Sequence, residues 1–512
     1  MNIPIRIDID VYCRARSKLL LSYDEKLYLG YTPDGKNPGR TYAAQVSVID
    51  GGKSVPYTCA IQENKVIVQA GNGYLEFAMN DSDEIIFSGK DLGVMISNGK
   101  AANTFMGGGN AIVDARGGGL FAIAGVKMRF LPRKGSVKPE SRWDFNYLCD
   151  PDPKLYLIPE KTGEIEFAVF ASGVEENVTD PGTTVDQAAA TLAEAFEAYC
   201  KTMQINPENV VASRAAWTLW NCIQPDMRAY ELNLTIKPTI VRGRQDSGAL
   251  FAEDYALYAL IIPEPQDAAQ VMLQPFVGIQ PDGFLPSELS NHKLQYTCTA
   301  PLYGLVLQAR RDIAEQIGLK EYRLLKRALT WWRNRRYCDR HNLFYYVHRT
   351  ENGMKAKIPV IGLEPVMTPE LNSYMLLWIR QMESLAIRWS LAEDASQWKR
   401  LAAQVWDGMR TYLSDGTGYH CVNVLDVKAK KNTDGDCLPA LLNIDGISEM
   451  NTFDWPDTME YAAEFLALAG CTEPGERMAR KILASAGNEP IPNVRSAVTC
   501  LLASGILSER RR

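Results

Sequence analysis

The sequence predicts a multidomain chain: an N-terminal antiparallel β-sandwich followed by an all-α toroid of paired helices. Three observations carry this. Residues 1 to about 180 form short runs that alternate apolar and polar residues, with Gly and Asp turns between them. From about residue 207 onward nearly every segment instead repeats its apolar residues at helical spacing. At 512 residues the chain also exceeds one ordinary core. The division places the β-sandwich at 1–180, a helical linker at 181–206 and the (α/α) domain at 207–512.

Strands are expected at Ile3–Tyr12, Tyr42–Asp50, Lys65–Ala70, Ile85–Ser88, Leu120–Ala124 and Ile165–Ala171. Asp34-Gly35, Gly51-Gly52, Gly71-Asn72-Gly73 and Gly107–Gly109 separate them. The glycine runs at 107–109 and 117–119 lack a Lys-Ser/Thr ending and a following amphipathic helix, so they read as turns and not phosphate loops. The linker opens on Pro181-Gly182 and continues as an Ala-rich helix, Val185–Met203. Helices then follow at Val210–Cys222, Leu250–Ile262, Gln266–Val277, Pro301–Ile317 and Glu321–Arg335. Five more are expected at Pro369–Ser390, Ala395–Leu413, Trp455–Ala469, Pro474–Ala486 and Val494–Leu507. Consecutive helices with loops of varied length fit an α/α toroid. No repeated motif recurs at about 33–47 residues, which argues against a solenoid.

Composition narrows the function. Hydrophobic content of 46% and charged content of 23% belong to a folded soluble protein. A net charge of −6 without a basic block leaves no electrostatic footprint for nucleic acid. No apolar run reaches the roughly 18–20 residues of a membrane span, and the N-terminus reads as a strand and not as a signal peptide. Eleven scattered cysteines without a CxxC pair fit reduced thiols and a cytoplasmic setting. The four histidines, His292, His341, His348 and His420, have no ligand spacing, so neither a metal nor another cofactor is expected.

The most informative stretch runs from Trp331 to Met375. A helix ends at Trp331–Arg336, a polar turn follows at Cys338–Asn342, and an aromatic strand-like run covers Leu343–His348. A loop with Glu351, Asn352, Gly353 and Lys355 leads to a helix opened by Thr368-Pro369-Glu370. Thr caps the orphan amides there, Pro suits the first turn, and Glu suits the positive end. Long loops between strong helices are where binding sites tend to lie.

This arrangement resembles the (α/α)6-type barrel glycoside hydrolases, especially glycoside hydrolase family 63 and its trehalase-like relatives. Trp331-Trp332…Arg336 falls on their WW-x-x-x-R helix end, and Asp339…Asn342-Leu343…Tyr346 on D-x-(D/N)-G-L-x-x-Y. Glu351–Lys355 falls on the E/D-S-G-x-D loop, and Pro369-Glu370-Leu371-Asn372 on P-D-L-N. Further matches are Phe251–Leu257 on W-W-D-S-x-F, Gln280–Glu288 on Q-x-D-G-x-I-P-x-E, Cys298–Pro301 on Q-P-P, and Cys437-Leu438-Pro439 on L-P-L. The resemblance covers about 210–445. The chain departs from the pattern at Lys355, where the family has its general-acid Asp, and the family's W-R-G-P-x-W segment is missing.

The resemblance implies hydrolysis of a small α-linked glucoside or oligosaccharide, of the inverting kind in which one carboxyl protonates the leaving oxygen and another activates water. An ammonium of ordinary pKa is a poor donor near neutrality, so Lys355 cannot replace the acid by simple exchange. Glu351 is then the nearest carboxyl for the acid, and Glu489, before the last helix, the base. Asp254, Glu253 and Asp246 are candidates to bind sugar hydroxyls, with Trp331, Tyr346, His348 and Lys355 as further substrate contacts. Trp332 and Trp378 read as core. Two alternatives stay open: a carbohydrate-binding protein that has lost hydrolysis, and a phosphate-dependent glycosidase whose phosphate meets Arg349, Lys355 and Lys357. The partner in each is a small carbohydrate, with no nucleic acid and no membrane, and the sequence leaves the oligomeric state open.

Overall fold

The computed structural model describes residues 2–7, 10–31, 40–80, 84–100, 109–123, 126–142, 150–171, 180–224, 227–229, 234–243, 250–289, 297–348, 351, 364–415, 418–431, 461–487 and 491–509. The chain divides into two compact units, the first covering residues 1–228 and the second most residues from 229 on.

In the first unit one sheet contains β1 (Leu19–Asp24), β2 (Lys26–Tyr31), β3 (Arg40–Asp50) and β4 (Lys53–Ser54). The other begins with β5 (Thr58–Gln62), β6 (Lys65–Ala70), β7 (Gly73–Met79) and β8 (Glu84–Lys90). The chain continues through β9 (Gly93–Asn98), β10 (Gly109–Val113), β11 (Gly119–Ile123), β12 (Val126–Lys134), β13 (Ser136–Glu140), β14 (Lys154–Ile158) and β15 (Glu164–Ala171). The sheet orders are β1-β2-β3-β9-β14-β13, with β4 on β3, and β10-β11-β12-β15-β8-β7-β6-β5. All pairings within the two sheets are antiparallel. Inward residues of both fill one core, in which Phe87 stacks on Phe77 and Phe167 at 5.1 and 5.4 Å. The turn between β5 and β6 is Glu63-Asn64, both left-handed (φ 50° and 65°), which matches the twist of a tight hairpin.

Among the described residues of Ile3–Tyr12 no strand forms: the first strand is β1, and before it Tyr12 bridges Leu21. Ile3, Ile5 and Ile7 are buried at alternate positions, which is the signal the sequence carried. The segment is anchored by point contacts instead, Ile3 N–H donating to Asn64 Oδ1 at 2.6 Å and Tyr12 Oη–H to the Asn64 carbonyl at 2.8 Å.

Helix α1 (Val185–Thr202) starts with a capping box between Thr184 and Gln187. Its Phe196 meets Trp217 and Trp220 of α2 (Val210–Cys222) at 5.0 and 5.3 Å, and these rings join the sandwich core.

The second unit holds α3 (Ala252–Ala259), α4 (Pro265–Leu273), α5 (Tyr303–Ala309), α6 (Arg311–Gln316), α7 (Leu319–Arg335) and α8 (Pro369–Arg388). It continues with α9 (Ala392–Gly408), α10 (Ala462–Ala469), α11 (Glu473–Ala486) and α12 (Val494–Glu509). Neighbours in sequence pack as pairs, α3 on α4, α8 on α9 and α11 on α12, while α12 returns to α3 and α5 packs on α8. At that last crossing a Cβ on Gly304 would meet the Trp378 backbone nitrogen at 2.1 Å, so only glycine fits.

Three further segments differ from the reading. The segment Pro301–Ile317 breaks into α5 and α6 at Arg310 (φ −122°), whose guanidinium donates to the Leu260 and Ile262 carbonyls at 3.0 and 2.9 Å. At Leu250 the chain begins as a two-residue strand paired with Glu288–Leu289, so the helix starts at Ala252. The aromatic run after Asn342 shortens to a strand at Leu343–Phe344 that pairs with Tyr337–Cys338 around the left-handed Asn342 (φ 55°). Cys437–Pro439 and Trp455 lie outside the described residues.

Candidate functional site

The first turn of α3 buries two adjacent carboxylates, Glu253 and Asp254, 3% and 1% exposed. Charges are removed from water at this cost only when paired. Arg242 supplies the pairing: its Nε donates to Asp254 Oδ2 at 3.0 Å and its Nη2 to Glu253 Oε1. The Phe251 ring lies 3.8 Å under the guanidinium carbon and holds the fork flat. Thr299 Oγ1 donates to Glu253 Oε2 at 3.4 Å, and Arg495 on α12 stands 3.8 Å from the same oxygen.

Arg495 extends the network. Its Nη1 donates to Glu464 Oε1 on α10 at 2.6 Å, and Tyr374 on α8 donates to that oxygen at 3.4 Å. Glu464 is fully enclosed. One guanidinium thus joins carboxylates from α3 and α10. Burial pushes the Asp254 carboxyl up to about 6, against the pull of Arg242 and with the help of Glu253. Asp254 Oδ1 is buried with no hydrogen-bond partner among the described residues.

The start of α8 is built as the sequence implies. Thr368 caps it, its hydroxyl accepting from Leu371 N–H at 3.3 Å, and Pro369 occupies the first turn. Asn372 explains the rest of the P-E-L-N run. Its Oδ1 accepts from Phe344 N–H at 2.8 Å, and its Nδ2 donates to the Phe344 and Thr368 carbonyls at 3.0 and 2.9 Å. This clamps the helix to the Leu343–Phe344 strand. Glu370, also buried, lies near the hydroxyls of Tyr346 and Tyr461, which burial and the Glu370 charge push well above the usual phenol value.

Tyr346 links this group to a second one. Its phenol also feels Cys298 and Glu351. Glu351 is 2% exposed, with Oε1 accepting from Arg336 Nη2 at 2.9 Å and Oε2 from Val347 N–H at 2.7 Å. Beside them the Cys298 thiol is driven well above its usual value by burial and then by the Glu351 charge. Among the described residues the site therefore contains Glu253, Asp254, Glu351, Glu370 and Glu464 against Arg242, Arg336 and Arg495, five carboxyls to three guanidiniums.

Comparison with solved structures matches nearly the whole chain to a known architecture. A bacterial glucoamylase solved in complex with acarbose covers 98% of this chain and is itself covered to 95%, with a TM-score of 0.63 at 10% identity. The chain shares the fold of that glucoamylase. The mannosylglycerate hydrolase of glycoside hydrolase family 63 from Thermus thermophilus, solved with glucose, aligns with 54% of this chain and 98% of its own. That match has a TM-score of 0.41 and 15% identity. No family profile matches the chain, and no curated protein matches it in sequence.

Within this shared fold, Glu253, Asp254, Tyr346 and Glu351 of the sequence's candidates sit in the buried polar network. Trp331 packs against Phe284 at 5.0 Å and Trp332 at 5.8 Å, with the Arg336 guanidinium 5.3 Å from its ring. His348 is exposed, and its carbonyl accepts from Glu351 N–H at 3.0 Å. Asp246, Lys355 and Glu489 lie outside the described residues. Sequence reasoning missed Arg242, Arg495, Glu464, Tyr374 and Tyr461. Glu464 did leave a trace: it is the one charge in the apolar run Tyr461-Ala462-Ala463-Glu464-Phe465-Leu466-Ala467. No group of three or more His, Cys, Asp or Glu among the described residues could hold a metal ion, and none of their helices is long and apolar enough to cross a membrane.

Proposed function

We propose that the chain is a glycosidase acting on a small α-linked glucoside or oligosaccharide, with its site in an (α/α) barrel formed by the second unit. The observation that carries the reading is the network of buried carboxyls and tyrosines converging from α3, α8, α10 and the Glu351 loop. The fold shared with a glucoamylase crystallised with acarbose supports it. A neutral sugar presents many hydroxyl donors, and carboxylates presented by rigid helices are suited to accept them.

In this account Asp254, Glu253 and Asp246 accept sugar hydroxyls, Arg242 holds the first two in place, and Trp331, Tyr346, His348 and Lys355 border the sugar. Glu351 donates its proton to the glycosidic oxygen as the C1–O bond breaks. Glu489 takes a proton from water as the water oxygen bonds to C1 from the opposite face. To act as the acid, Glu351 must exchange one of its two present contacts, to Arg336 or Val347, for a proton. That same engagement of both oxygens favours a second reading, a site that binds sugar without cleaving it.

The test is release of free sugar from a panel of aryl and natural α- and β-glycosides by the wild type and Glu351→Gln, with and without phosphate. Turnover that collapses in the variant supports the reading. Turnover only with phosphate replaces hydrolysis by phosphorolysis. No turnover, with sugars still raising Tm, moves the site to binding alone.

A further inference from the structure

A concave surface lies wholly within the first unit. It is a groove of about 680 Å³ on the sheet that contains β3, β9, β14 and β13, within the range of small-ligand sites. Strand register explains its form. Gly93 stands opposite Ile49 across β9 and β3, so one of the two positions has no side chain and the sheet is indented there. Ile49 is 5% exposed yet lies outside the sandwich core, as expected of a floor residue on the other face. Tyr156 pairs with Lys138 on one side and Met95 on the other. Its hydroxyl donates to Glu140 Oε2 at 3.0 Å, which fixes the ring. Asp50 and the open glycine turn Gly51-Gly52 line the groove with Asp91.

We propose that this groove binds a neutral oligosaccharide, with a pyranose ring against Tyr156 and its hydroxyls donated to Glu140, Asp50 and Asp91. An apolar floor with a half-buried tyrosine suits the C–H face of a sugar, and a rim of acceptors suits its hydroxyls. Among the described lining residues, three carboxylates against Lys138 repel phosphorylated or uronic ligands. No group of three ligating residues among the described residues points to a metal instead. The groove is independent of the carboxyl network in the second unit, and its ligand class follows from its own lining.

The experiment is hydrogen exchange on the full chain with maltoheptaose, cellohexaose and xylohexaose in turn, with hydrolysis of an aryl α-glucoside followed separately. At least one of the three should protect the peptides around Asp50–Gly52 and Ser136–Glu140. Tyr156→Ala and Glu140→Gln should each weaken that protection by about tenfold or more. Neither should change aryl-glucoside turnover, since neither belongs to the carboxyl network of the second unit. Protection of those peptides by none of the sugars at millimolar concentration overturns the proposal. So does undiminished protection in Tyr156→Ala, or protection by spermidine in place of the sugars. Failure of hydrolysis with groove protection retained would count against the glycosidase reading alone.

Discussion

Removing Arg495 should destabilise the second unit out of proportion to one side chain. Its guanidinium is 17% exposed and faces Glu464 at 2.6 Å and Glu253 at 3.8 Å, which are 0% and 3% exposed. Arg495→Leu keeps the apolar bulk but takes the guanidinium from the buried Glu464 carboxylate, leaving the weaker Tyr374 hydrogen bond on that oxygen, at 3.4 Å. Breaking a buried pair by deleting one partner costs about 3–5 kcal/mol. In a unit of this size that corresponds to a fall in Tm of about 6–20 °C. Differential scanning calorimetry of the full chain reads the effect, with the first unit's transition as an internal reference. Arg495→Leu combined with Glu464→Leu removes both charges and should recover more than half of the loss. The reasoning fails if the single variant costs less than about 1 kcal/mol, or if the double variant loses the sum of the two singles.

Other consequences follow from the same geometry. Asp254 has its folded pKa raised to about 6 by burial, so the native state holds this proton more tightly than the unfolded chain. Its stability contribution is complete below about pH 4 and disappears as pH rises through about 6. The Tm of wild type minus the Tm of Asp254→Asn should therefore fall from pH 4 to 7 in thermal melts; a constant or rising value contradicts the assignment. Asn372→Leu should cost about 2–5 kcal/mol in urea unfolding, because it leaves the buried Phe344 N–H and carbonyl without their partner. Glu351→Gln should lower kcat by about 10²–10⁴ in steady-state assays if Glu351 donates the proton, and should leave kcat unchanged if another group does.

Local periodicity made most elements legible. β6 and α2 occur at the expected residues, and α8 begins at Pro369 because cap, Pro and Glu lie in one tripeptide. Where the reading missed, long-range contacts decided. Alternate burial of Ile3, Ile5 and Ile7 looks like a strand in sequence, but the backbone is held by Asn64, some 60 residues away. Arg310 interrupts an otherwise helical pattern because carbonyls at 260 and 262 capture its guanidinium. The site shows the same limit. Glu253 and Asp254 stand out as paired acids on one turn, whereas Arg242 and Arg495 gain meaning only when the fold brings them to those acids. Glu351 could be singled out from its loop, but its engagement with Arg336 and Val347 could not.

The central claim is that the chain cleaves a glycosidic bond with Glu351 as the acid, and proton NMR of the freshly released sugar tests it most directly. The account predicts that wild type incubated with an α-linked disaccharide shows the β-anomeric proton first, with the α-anomer appearing later by mutarotation. No released sugar from any α-glucoside, at protein concentrations where those sugars raise Tm, would contradict it.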